Sequence, residues 1–302
     1  MEKIDLLATL TPITSNWHDD GTRQMAPEQA ARHGQLVYEY LYSDPNDNDL
    51  KEVAHHLANA LSNGKRMLGM QAGWIRELFN LRPGGIFNLH NKTAIEKAVW
   101  DKSFSFVEIL LDELTEIQSH YALGLVYETV GHRYGDLFLS GKEEMSNKML
   151  EYYHLAVQEA AIEIKNTDFY IKQYITPYFW ASEYFFSARS VDKYKTLCIK
   201  YLKLYLLHLS QASTGILHPG ELLKSHQSIF KLRYLIGNDE WDNWLNDNIY
   251  NKSVRRAVAA AKRSLYGWGD HQVRGVTKFT SDPNFYPDTY ADVLATSMKR
   301  GP

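Results

Sequence analysis

Apolar residues recur along this chain at spacings of three and four, and strand-like alternation bounded by turn residues is hard to find. Such periodicity puts the apolar side chains on one stripe of a helix and leaves no second face for a sheet. In "APEQAARHGQLVYEYLYS", Pro27 suits a first helical turn and Glu28 the positive helix end. Leu36, Val37, Tyr40 and Leu41 then form the stripe. "LKEVAHHLANALSN" sets Val53, Leu57 and Leu61 four apart, and Asn63-Gly64 is a helix stop. The pattern predicts a helix in "KRMLGMQAGWIRELFNL", an interior loop at Pro83-Gly84-Gly85, and helical segments in "TAIEKAVWDK" and "SFSFVEILLDELTEIQSH". Residues 116–136 read as a single helical run. Further helices are expected near 145–165, 168–188, 191–210, 219–237, 239–250 and 253–267, with short polar or Gly/Pro breaks between them. The expected fold is all-α: stacked antiparallel helical hairpins, as an irregular α-solenoid or a helical bundle.

Three regions are expected: an N-terminal helical region at 1–91, a hairpin array at 92–274 and an extended tail at 275–302. The 302 residues are enough for a large core, and a formal charge of −3 gives no global pull toward nucleic acid or anionic membrane. Cys198 is the only cysteine, which excludes an intrachain disulfide and a thiolate zinc cluster. It sits in "YKTLCIKYLKLYLLHL", as a buried inert thiol would. The first residues lack the long apolar stretch of a signal peptide, and no run approaches the ~18 apolar residues of a membrane span. The expected setting is soluble and reducing, most simply the cytoplasm.

"LGLVYETVG" carries Leu123-Gly124-x-x-Tyr127, and the next helix, "MLEYYHLAVQEA", offers Met149, Tyr153 and Ala156. A second pair has Trp180, Ala181 and Phe185 on one arm and Leu197, Tyr201 and Leu204 on the other. These spacings resemble the two helices of a tetratricopeptide repeat over about residues 121–210. The likeness is partial: the first pair carries extra residues around "FLSGKEEMS", and the closing proline is absent. The resemblance implies a groove that binds another protein. Tyr127, Tyr153, Trp180, Tyr184 and Tyr201 are the candidates for lining it, although each suits a core better. The expected role is that of an adaptor, a regulatory or inhibitory subunit, or an assembly component, with no cofactor and with self-association left open.

Two other chemistries deserve weighing. Glu116 with His120 and Glu128 with His132 are Glu-x-x-x-His pairs, and Glu151 with His154 is a Glu-x-x-His unit of the kind used in carboxylate-bridged metal centres. Were the helices to face each other, Glu128, His132, Glu151 and His154 would surround one cation, giving a metal-dependent or acid/base enzyme. The same pairs are ordinary helix-surface pairs in a chain with 12 histidines. No H-E-x-x-H, P-loop, G-x-G-x-x-G or G-x-S-x-G occurs. Charge is also uneven: residues 1–52 carry ten acids against four bases, and 252–278 seven bases against Asp270 alone. In the latter stretch Arg255, Arg256, Lys262 and Arg263 near Tyr266 and Trp268 would suit a nucleic-acid backbone or a phosphate. A solvated basic face pairing with acidic protein is the plainer reading.

Overall fold

The computed structural model describes residues 3–8, 27–43, 45–63, 97–166, 176–212 and 219–248. They form ten helices and, among the described residues, no strand. These are α1 (3–8), α2 (Pro27–Tyr42), α3 (Asp47–Asn63), α4 (Lys97–Glu116), α5 (His120–Leu139), α6 (Met145–Asn166), α7 (Thr176–Ser187), α8 (Asp192–Ala212), α9 (Pro219–Ile236) and α10 (Asn238–Asn248). The chain divides into two compact units, Met1–Tyr170 and Ile171–Pro302. The expected boundaries at 91/92 and 274/275, the helices at 65–81 and 253–267 and the PGG loop lie outside the described residues.

In the first unit α3 packs on α4, α4 on α5, and α5 on α6, with α2 against α4. Of the expected stripe of α2, Val37, Tyr40 and Leu41 are buried and Leu36 is partly covered; Val53, Leu57 and Leu61 of α3 are buried. Asn46 caps α3 by accepting the Asp49 N–H at 2.9 Å, and Asp47 and Asp49 meet the positive helix end. Lys3 of α1 reaches both Asp49 and Glu52 at 2.6 Å. Phe106, Leu110 and Leu114 of α4 complete this core with Val126 and Val130 of α5.

The α5/α6 hairpin is the tightest contact. Gly124 lies against the backbone of α6, where an added methyl would stand 3.3 Å from the Ala156 carbonyl oxygen. At Gly131 a methyl would lie 2.6 Å from two ring carbons of Tyr153. The ring occupies the space a side chain would need. Met149, Tyr153 and Ala156, the expected inner face of α6, are all buried.

Two expectations about boundaries are corrected. "TAIEKAVWDK" and "SFSFVEILL" do not separate at Ser103, which is fully buried inside the continuous α4. Conversely, residues 116–136 are not one run. The helix ends after Glu116, and Gln118 takes a positive φ of 56°. The Ser119 N–H donates to the Leu114 carbonyl at 3.1 Å and the Gln118 N–H to Thr115 at 3.0 Å, the paired bonds of a Schellman stop. Gly141 ends α5 the same way, with φ 101° and bonds from Lys142 to Leu137 and from Gly141 to Phe138. Gly237, at φ 83°, ends α9 by donating to Arg233.

In the second unit α7 packs on α8, α8 on α9, and α9 on α10. Its core is aromatic: Phe185 stacks on Tyr194 at 5.8 Å and on Tyr201 at 6.0 Å. Ala181, Phe185 and Tyr201 are buried as expected. Leu197 and Leu204 are only partly covered; Tyr194, Cys198 and Tyr205 take the inner face of α8 with Tyr201. That face runs at i, i+4, i+7 and i+11, and the repeat-like register expected there misplaces both leucines. No helix among the described residues is long and apolar enough to cross a membrane.

Two substitutions test these local arguments. Gly131→Ala should lower stability by about 1–3 kcal/mol through overpacking, despite a gain of about 1 kcal/mol in helix propensity. Gln118→Gly should raise it by about 0.5–1 kcal/mol, because glycine adopts the left-handed conformation without a Cβ penalty. Urea denaturation of the two variants beside wild type measures both, and a stabilised Gly131→Ala would mean the Tyr153 ring yields freely.

Candidate functional site

Three helices of the first unit, α4, α5 and α6, bring together the residues with the most chemistry, on two different sides of the α5/α6 contact. One side is internal. His132 is covered by the hairpin, its side chain 15% exposed, and Glu128 one turn earlier is 4% exposed. The Tyr153 hydroxyl lies 3.0 Å from His132 Nδ1, and the tyrosine ring meets the imidazole edge-on at 5.7 Å. Nε2 is 3.7 Å from Glu128 Oε1, an electrostatic contact beyond hydrogen-bond length. A neutral imidazole suits these neighbours: Tyr153 O–H donates to Nδ1, and the proton on Nε2 faces the carboxylate.

Burial holds the His132 pKa below the ordinary imidazole value; Glu128 and Asp136 pull it upward and Arg133 pushes it down, without reversing the direction. The phenol is itself fully buried, so no substrate reaches it. The arrangement joins α5 to α6.

The expected cation site does not assemble. Glu151 and His154 lie on the exposed side of α6, whereas Glu128 and His132 are enclosed. Among the described residues no three His, Cys, Asp or Glu side chains converge as metal ligands would. The break at Gln118 also separates Glu116 from His120, which instead meets Glu159 of α6 at 2.8 Å.

The other side faces outward. Phe104 of α4 stacks on Tyr134 of α5, centroids 4.6 Å apart. Tyr134 stacks on Tyr152 of α6 at 5.3 Å, and Tyr152 leans on Tyr127 at 5.9 Å. Phe104, Tyr127 and Tyr152 are partly exposed, and Tyr134 is nearly covered. Partial burial raises the Tyr152 and Tyr127 pKa values. The carboxylates of Glu108 and Glu151 add to this at Tyr152, and those of Glu159 and Asp112 at Tyr127. Acids therefore border the strip from both flanking helices.

Of the expected groove residues, Tyr127 is in this strip. Tyr153 and Tyr201 are buried seam residues with no surface to offer. Burial pushes the Tyr201 phenol up to about 12. Trp180 and Tyr184 are partly exposed, one turn apart on α7, and Lys224 lies 5.7 Å over the Trp180 ring. Residue spacing alone missed Phe104, Tyr134 and Tyr152. Tyr127 and Tyr134, seven residues apart, do share a helix face. Arg255, Arg256, Lys262 and Arg263 lie outside the described residues.

Cys198 is buried, within 3.5 Å of the Ser182 carbonyl, and burial pushes its thiol up to about 12. It is no nucleophile at neutral pH. Comparison of the chain with protein-family models, with curated proteins and with solved structures gave no match.

His132 generates a pH prediction. The unfolded chain protonates near the ordinary value of 6.5, and the folded one only at lower pH. Between those values the unfolded state binds more protons, so stability falls as pH drops below about 6.5. His56 and His208 are lowered by burial too and add to the same slope. His132→Gln should lose less stability than wild type between neutral pH and about pH 5, whatever its own starting stability. Melting temperatures across that range decide it; equal slopes would mean His132 is readily protonated in place.

Proposed function

We propose that this protein is a helical scaffold that binds another protein, acting as an adaptor, a regulatory or inhibitory subunit, or an assembly component. The observation that carries this reading is the strip of Phe104, Tyr127, Tyr134 and Tyr152. Four rings from three successive helices follow one another in series, and three of them, Phe104, Tyr127 and Tyr152, remain partly open to solvent. Interfaces draw their strongest contacts from such aromatics, because each ring offers a large rigid area with little side-chain entropy to lose. The interior of the described residues supports the same reading: His132, Tyr153 and Cys198 are occupied in packing.

The tetratricopeptide-like plan is part of the proposal for residues 121–166. Its support is the close approach of Gly124 to Ala156, with Met149 and Tyr153 buried on the facing helix. In that plan hairpins too small to stand alone gain burial by stacking, and one side of the stack stays free for a guest.

Capture from a native-host lysate, quantified by mass spectrometry, tests the function. The Tyr127→Ala/Tyr152→Ala protein should lose a partner that wild type retains, while its melting temperature moves only a few degrees. A collapsed melt would identify the rings as core, and undiminished capture would place the binding surface elsewhere.

A further inference from the structure

We propose that the partner bound on the α4–α6 strip presents a basic segment, whose lysine and arginine side chains lie over the rings and between the bordering carboxylates. This rests on the protein-binding reading above and names the chemistry of the guest.

Geometry comes first. The rings of Phe104, Tyr134, Tyr152 and Tyr127 follow one another at centroid spacings of 4.6, 5.3 and 5.9 Å, as a continuous path over three helices. Glu108 and Asp112, one turn apart on α4, and Glu151 and Glu159 on α6 are near enough to act on the Tyr152 and Tyr127 phenols. Glu159 already meets His120. Glu108, Asp112 and Glu151 are exposed and make no ion pair among the described residues.

Charge then selects the guest. An aromatic face is negative by its quadrupole, and carboxylates beside it deepen the same sign. Phosphates and acidic peptides are repelled from such a strip. A neutral apolar peptide would cover the rings but strip water from the carboxylates without replacing it. A guanidinium or ammonium satisfies both, lying against the exposed parts of Phe104, Tyr127 and Tyr152 while donating to a nearby acid. The protein supplies its own example: the Lys148 ammonium sits 5.9 Å from the Tyr134 ring centroid.

The test is fluorescence anisotropy on the full chain, with three labelled peptides of equal length: arginine alternating with glycine, glutamate alternating with glycine, and leucine alternating with glycine. The arginine peptide should bind saturably, and more weakly as salt rises. Tyr152→Leu and Glu108→Gln/Glu151→Gln should each weaken it by about tenfold, with folding verified by circular dichroism. Glu144→Gln, an exposed acid in the turn before α6, should leave it unchanged. Arginine binding that falls equally in Glu144→Gln would reduce the effect to general surface charge and overturn the proposal. So would an arginine peptide that does not bind. Leucine-peptide binding lost in Tyr152→Leu would overturn the cationic guest and leave the protein-binding reading standing. If no peptide binds and the Tyr127→Ala/Tyr152→Ala protein still captures its partner, both readings fall.

Discussion

The first unit depends on how closely α5 and α6 approach. Gly131 has no side chain, and the Tyr153 ring fills the space that one would take. Once the ring is there its hydroxyl must find a partner, since an unsatisfied buried phenol is costly. His132, next in sequence to Gly131, provides Nδ1 at 3.0 Å. Burial then keeps that imidazole neutral, and the acid at Glu128 has a polar neighbour inside the hairpin. One missing methyl thus determines the place of an aromatic ring, a hydrogen bond and a protonation state. The consequence reaches the surface as well. Tyr152 precedes Tyr153 by about 100° of helix rotation, so inward packing of Tyr153 turns Tyr152 toward the strip.

Charge is handled differently in the second unit. Lys231 of α9 is enclosed, its side chain 8% exposed, and its ammonium is held by both carboxylate oxygens of Glu183 on α7. The same ammonium lies 5.0 Å from the Phe186 ring, and Arg189 stacks on that ring at 4.1 Å. A partly buried ion pair adds little net stability, because desolvating both charges offsets their attraction. Its effect is on alignment. An unpaired Lys231 would be expensive in this setting, so α9 and α7 have one low-energy register that brings the two charges together.

Much of this was legible from residue spacing and some was not, for identifiable reasons. Val37, Val53, Leu57 and Leu61 stand at helical intervals on otherwise polar helices, so their burial follows from the pattern. Gly124 and the triplet Met149, Tyr153 and Ala156 marked a close helix pair correctly. The stop at Gln118 left no signature, because a polar residue with a side chain occupies a position that usually goes to glycine. The inner face of α8 was misplaced at Leu197 and Leu204, because "TLCIKYLKLYLLHL" is apolar on several sides and admits more than one stripe. The strip was missed for a similar reason. Tyrosine suits core and surface alike, and only the partner helices decide which of Tyr152 and Tyr153 goes inward.

The histidines show how packing overrides a motif. Spacing put Glu116 with His120 and Glu128 with His132, each within one helix. In the fold, three imidazoles of this unit reach across to a neighbouring helix: His55 of α3 to Glu113 of α4 at 2.8 Å, His120 of α5 to Glu159 of α6 at 2.8 Å, and His132 of α5 to Tyr153 of α6. Among the described residues none of these imidazoles joins two further ligating side chains, and a metal site would have needed several to converge on one point. Glu113 and Glu159 are drawn into these cross-links, while Glu108, Asp112 and Glu151 are not. The negative charge left over therefore collects beside the rings of Tyr127 and Tyr152, where nothing in the hairpin contacts requires it. In the proposed complex these three acids pair with the guest's cations beside the aromatic strip.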